Sequence, residues 1–176
     1  MRKVSVAALM ASGLLSACGM MGPHHGGPMA RATMEPTRGN TTAGVVMFHQ
    51  MGTHVMVHAK LAGLKPGQEH GFHVHEKGDC SSGDGVSAGG HYNPSGKAHG
   101  HYEAGERHAG DLPNLKADAE GRVDVHFRVT GIGVGSGAAD VVGKGLIVHA
   151  MPDDYKTQPT GNSGARIACG VIALRS

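Results

Sequence analysis

RVDVHFRVT, residues 122–130, alternates without a break: Val123, Val125, Phe127 and Val129 face one way, while Arg122, Asp124, His126 and Arg128 face the other. A period of two marks a strand with one buried and one wet face, because successive side chains project to opposite sides of a pleated backbone. Val45 to His49 and Thr53 to Leu61 repeat the pattern more weakly. LKPGQ, AEGR and TGIGVGSG supply the Gly and Pro of tight turns between such segments. No stretch carries a helical stripe. Thirty glycines, no tryptophan, and only Phe48, Phe72, Phe127, Tyr92, Tyr102 and Tyr155 as aromatics predict a core of small aliphatics. Strands and turns without helices predict an all-β fold, either a sandwich or a Greek-key barrel. At 176 residues the chain suits one domain with a sizeable core.

Two stretches, 76–110 and 150–164, are too Gly-rich and polar to be strands. Loops of that length in a compact domain are usually functional. Seven potential metal ligands lie in or beside them: His73 and His75 in GFHVHEKGDC, His91 in GGHYNP, His99 in KAHG, His108 and Asp111 in RHAGD, and His149 in LIVHA. Six imidazoles and a carboxylate are too many donors for one borderline ion, which rarely takes more than four protein ligands. They divide naturally between two ions that share one ligand. His73 and His75 alternate with Phe72 and Val74, so a strand puts both rings on one face, about 6.6 Å apart along the chain, and both apolar side chains in the core. His149 shares a face with Ile147, opposite Leu146 and Val148, and can close the same site from a neighbouring strand. His91, His99, His108 and Asp111 lie mainly in the first loop, where flexible backbone can wrap a closed tetrahedral site. Spacing alone does not say which ligand is shared.

The N-terminus, MRKVSVAALMASGLLSACGM, joins Arg2 and Lys3 to an apolar run and ends in Leu15, Ser16, Ala17 and Cys18. This reads as an export signal over residues 1–17 whose end resembles a bacterial lipobox, with Cys18 as the lipidated residue. The run is too short to span a bilayer. Without residues 1–17 the chain keeps 14 basic and 14 acidic residues, Arg2 and Lys3 being the two lost from 16. No basic run suggests nucleic acid, so the membrane enters only through the anchor. With Cys18 set aside, Cys80 and Cys169 are the remaining thiols of an exported chain and are expected to form a disulfide. Residues 18–29 read as a flexible tether, leaving 30–176 as the folded domain.

The stretches GFHVHEKGDC, GGHYNP, ERHAGDLPN, GKGLIVHA and TGNSGARIACGVI resemble the copper/zinc superoxide dismutase family, in particular its exported bacterial members, from about Thr41 to Ile172. The resemblance implies an eight-stranded Greek-key β-barrel, an immunoglobulin-like sandwich with two long functional loops. It implies one copper ion on His73, His75, His91 and His149, and one zinc ion on His91, His99, His108 and Asp111, with His91 as the bridge. Asp153, rather than its neighbour Asp154, would hydrogen-bond the outer nitrogens of His73 and His99. Arg166 would attract and orient superoxide beside the copper, since a guanidinium both carries charge and donates directional hydrogen bonds. The implied reaction converts two superoxide anions to dioxygen and hydrogen peroxide as copper cycles between Cu(II) and Cu(I), zinc being structural. Cys80 and Cys169 match the family disulfide.

His70 matches a structural position of the family and is read as a hydrogen-bonded support, not a ligand. His54, His58 and His126 are read as exposed. Met20, Met21, His24, His25 and Met29 give the tether donors that could collect copper, and Lys156 could add to the attractive field. A non-enzymatic copper-binding or copper-delivery protein is the alternative function, and it fits less well because no ligand is missing. A binuclear zinc hydrolase is disfavoured, because the Asp-His continuation expected after His73 and His75 is absent. Periplasmic residence follows from the export signal, and Gly19 after Cys18 favours the outer membrane. Monomer and homodimer both stay open.

Overall fold

The computed structural model describes residue 1 and residues 26–175. Cys18, the rest of the expected leader beyond Met1, and the tether donors Met20, Met21, His24 and His25 lie outside the described residues. Nine strands occur among the described residues: β1 (Met29–Pro36), β2 (Ala43–Met51), β3 (His54–Ala62), β4 (Glu69–His70), β5 (Phe72–His75), β6 (Leu115–Lys116), β7 (Val123–Val129), β8 (Gly145–His149) and β9 (Arg166–Leu174). Seven form one antiparallel sheet in the order β5-β8-β9-β1-β2-β3-β7, and the two-residue strands β4 and β6 pair separately. The all-β expectation holds, with one three-residue 3-10 turn at Val86–Ala88 as the helical element among the described residues.

The sheet curls until its outermost strands meet: Phe72 of β5 packs edge-on against Phe127 of β7, ring centroids 6.4 Å apart. Alternate residues fill the interior, among them Met34, Val46, Phe48, Val57, Leu146 and Ile172, all essentially inaccessible. Each such burial is worth about 1.5–3 kcal/mol for the larger side chains. Met29, the last residue read as tether, begins β1 and pairs with His49, while Gln50 N–H donates to the Pro28 carbonyl at 3.0 Å. β1 is hard to see in sequence because its inward residues, Ala30, Ala32 and Met34, include two of minimal size.

The strand that matters most is β5. All four of its residues are buried, although only Phe72 and Val74 belong to the apolar core. The first long loop covers the other face and extends the ladder: Tyr92 N–H donates to Val74 O at 2.8 Å, Val74 N–H to Gly110 O at 3.0 Å, and Glu76 N–H to Gly90 O at 3.0 Å. An edge that would otherwise expose unpaired backbone is thereby closed. Gly110 has to be glycine here, because a Cβ would collide with the Val74 carbonyl oxygen. The same loop is tied to β9 by the Cys80–Cys169 disulfide, Cα atoms 5.8 Å apart, which matches the expected pairing.

Candidate metal centre

Strand pairing delivers the first three imidazoles. β5 and β8 run antiparallel with His73 opposite Ile147, and His149 follows Ile147 by two on the same face; the register shift of the β8–β9 pair falls between Val148 and His149 and skips Ile167 on β9. His75 bridges to His91 in the covering loop, and His73 bridges to Asp111. Two clusters result. His73, His75, His91 and His149 each offer a donor atom, all within 4.8 Å of one another, and so do His91, His99, His108 and Asp111. All seven residues are buried. Every candidate ligand read from the sequence is therefore brought into one or the other cluster, and His91 into both.

Hydrogen bonds assign the tautomers, and with them the nitrogens left for metal. His73 Nε2–H donates to Asp153 Oδ2 at 2.8 Å, leaving Nδ1 buried without a protein partner. His75 Nδ1–H donates to the Gly89 carbonyl at 3.0 Å, and His149 Nδ1–H to the Gly164 carbonyl at 3.2 Å. Their Nε2 atoms face each other at 3.4 Å, two lone pairs that an ion between them would satisfy. His91 Nδ1 lies 2.9 Å from Asp111 Oδ1, and its buried Nε2 has no protein partner. Orphaned buried nitrogens cost free energy unless something coordinates them. The first cluster fits copper, which favours imidazole, and the second, three imidazoles and a carboxylate, fits structural zinc.

The clusters differ in charge. Burial lowers the pKa of His73, offset in part by Asp153, and holds His75 and His149 well below the ordinary value, helped by neighbouring imidazoles. Burial likewise takes His91 to about 4 against the opposing effect of its hydrogen bond to Asp111. These rings are neutral at pH 7; His73, His75 and His149 need lose no proton to bind metal, whereas His91 can serve both clusters at once only by giving up its remaining N–H proton. For His99 burial acts downward too, but Asp111 Oδ1 at 3.0 Å on one nitrogen and Asp153 Oδ1 at 2.9 Å on the other raise its pKa to about 9. Asp111 is held far below the carboxylate range: burial opposes this, but hydrogen bonds from His108, His91 and His99 outweigh it. Its Oδ2 also accepts from the His108 and Gly100 N–H groups at 2.8 and 3.2 Å.

Asp153 joins His73 and His99 through one carboxylate, whereas Asp154 turns away to cap Lys156 and Thr157. Asn114 clamps Asp153 in both directions, donating to its carbonyl and accepting from its N–H, each at 2.9 Å. Gln158 does the same for His99, at 2.8 and 2.9 Å. Gly161 (φ +66°) admits the carboxylate, since a Cβ there would overlap Asp153 Oδ1. Arg107, buried, donates to the His108 carbonyl at 3.0 Å. Sequence reasoning missed these supports, which carry no spacing signal because their partners are remote in the chain. Only Arg107 stands beside its target.

Arg166 is half-buried, its guanidinium donating to the Gly85 and Gly89 carbonyls at 2.6 Å each. Gly89 O thus holds both Arg166 and the candidate ligand His75. Burial lowers the Arg166 pKa from the very high range of a guanidinium, and the group stays cationic at neutral pH. His70 joins neither cluster; it is buried, and its Nδ1–H donates to the His149 carbonyl at 2.8 Å. Lys156 and His126 are exposed, whereas His54 and His58 are half-buried, because neighbouring strands flank them on the outer face of β3.

The family model described as copper/zinc superoxide dismutase (SODC) matches residues 42–172. The superoxide dismutase-like protein YojM of Bacillus subtilis (strain 168) is 44% identical over 120 residues, which are 66% of this chain and 61% of that protein. The extracellular superoxide dismutase [Cu-Zn] of Drosophila melanogaster is 43% identical over 140 residues, 75% of this chain and 76% of the relative. Superoxide dismutase [Cu-Zn] 2 of Aquifex aeolicus (strain VF5) is 38% identical over 147 residues, 81% and 85% of the two chains. Among solved structures, the clock protein EA4 superposes with a TM-score of 0.77 at 38% identity, covering 84% of this chain and 94% of its own.

Proposed function

This chain belongs to the copper/zinc superoxide dismutase family, and on that premise we propose that it is a superoxide dismutase, converting two superoxide anions and two protons to dioxygen and hydrogen peroxide. His73, His75, His91 and His149 would hold copper, and His91, His99, His108 and Asp111 would hold zinc, one ion of each per chain. The observation that carries the reading is His91, a member of both donor clusters, with Nδ1 engaged by Asp111 and Nε2 left free. When bound, copper supplies the one-electron exchange with superoxide, and zinc, which has no accessible second oxidation state, supplies charge and rigidity.

The chain's own residues do the rest. Arg166 draws in and orients a small anion, and its two carbonyl partners keep the guanidinium from swinging away. His91 Nε2 is the group suited to hold the proton handed to the second superoxide. Asp153 fixes His73 and His99 by their outer nitrogens, as a carboxylate behind a ligating imidazole does. Export, cleavage before Cys18 and a lipid anchor in the periplasm, the outer membrane favoured, complete the proposal. They are supported by the leader pattern, by a disulfide suited to an oxidising compartment, and by an extracellular relative.

Purified protein loaded with both metals should accelerate superoxide decay, and Arg166→Ala should cut the rate by roughly tenfold or more while flattening its dependence on ionic strength. Binding of one copper and one zinc without any acceleration would instead favour the non-enzymatic copper protein.

A further inference from the structure

One more cluster of metal donors lies on the outer wall of the sheet, away from the centre already described. β3 and β7 pair with His58 directly opposite His126. The two rings stack, centroids 3.8 Å apart and planes within 16°. Asp124 precedes His126 by two on the same face of β7, and its Oδ1 lies 2.7 Å from His58 Nε2. A donor atom from each of the three lies within 4.8 Å of the others. The side chains of His58 and Asp124 are 34% and 57% exposed, so an ion can reach them from solvent.

We propose that His58, Asp124 and His126 form a surface metal site that takes Cu(II). Two imidazoles and a carboxylate are donors for a borderline divalent ion, and the open side leaves positions for water. Copper outranks zinc at such a set by the ordinary order of divalent affinities. The neighbours point the same way. Met47 is the register partner of His58 on β2, Met56 precedes His58 by two on β3, and His49 pairs with Met56. These register positions set thioether side chains beside the cluster, and a thioether is a donor that suits copper better than zinc. Lys60 Nζ stands 3.6 Å from Asp124 Oδ2 and competes for the carboxylate, so the site is a weak, exchanging one rather than a resident centre.

The test uses the full chain already loaded with copper and zinc, titrated with Cu(II) and, in a parallel arm, Zn(II), followed by calorimetry and electron paramagnetic resonance. The wild type should bind one more equivalent of Cu(II) than the double variant His58→Asn/His126→Asn, with a roughly micromolar Kd and a copper spectrum of its own that the variant lacks. Copper held elsewhere, on His24 and His25 for example, stays in the variant and cancels in the comparison. Lys60→Met should tighten the extra equivalent. All three positions lie on the solvent face, so unchanged melting temperatures should accompany these variants. Equal copper binding by wild type and double variant would overturn the site, and tighter binding of Zn(II) than Cu(II) would overturn its assignment to copper.

Discussion

His73, His75 and His149 sit on paired strands β5 and β8, whereas His99, His108 and Asp111 sit on a loop with no strand of its own. The strand-borne half is three neutral imidazoles aimed by backbone carbonyls and Asp153. The loop-borne half is ionic, with His99 held as a cation between Asp111 and Asp153. A sheet can aim side chains by pleat and register alone. A loop cannot, so the second half is organised by a buried carboxylate that gathers two backbone N–H groups and three imidazoles. His91 joins the halves.

The largest test of that contrast is Asp111→Asn, which keeps the shape and removes the charge. Taking away one of the two carboxylates that flank the His99 cation should cost up to about 3–5 kcal/mol in denaturant unfolding of the metal-free protein. Zinc should be lost from metal analysis while copper is retained; parallel loss of both metals would show that the halves are not separable. Opening the disulfide with Cys80→Ala and Cys169→Ala together should cost about 2–5 kcal/mol and act on the other side. Cys80 anchors the loop whose Gly89 carbonyl holds His75 and Arg166, so copper affinity should weaken more than zinc affinity.

Asp153→Asn attacks the element the halves share. Both metals should bind about 10- to 100-fold more weakly, and a loss confined to zinc would mean that its contact with His73 is dispensable. The smallest effect separates the halves by pH. With its pKa raised to about 9 from an ordinary 6.5, His99 contributes stability to the metal-free fold that is fully present below pH 6.5 and lost as pH rises through 9. Zinc must displace that proton, so zinc affinity should rise about tenfold per pH unit from 7 to 9. Copper affinity of the zinc-free protein should stay flat there, because the pKa values of His73, His75, His91 and His149 are lowered.

The fold was legible where side-chain contrast is strong. Val123 to Val129 announces β7, while β1 is quieter because Ala30 and Ala32 differ little in size from what a turn would tolerate. The centre was legible as a set of donors, since the histidines and aspartate flanking the two long loops offer more ligands than one ion can use, and the placing of His73 with His75 followed from the pleat. Family resemblance, rather than spacing, singled out Asp153 and His91. Asn114, Gln158 and Gly161 were not visible at all, because each acts on a residue that only folding brings near.

From its sequence alone this chain determined an all-β domain, a donor inventory for two ions and a disulfide partner for Cys80, all of which depend on local periodicity and residue chemistry. Tertiary structure decided which nitrogen each histidine presents and that His91 sits in both clusters. It also stacked His58 on His126. These facts depend on hydrogen bonds and strand register between segments tens of residues apart, which no local pattern encodes.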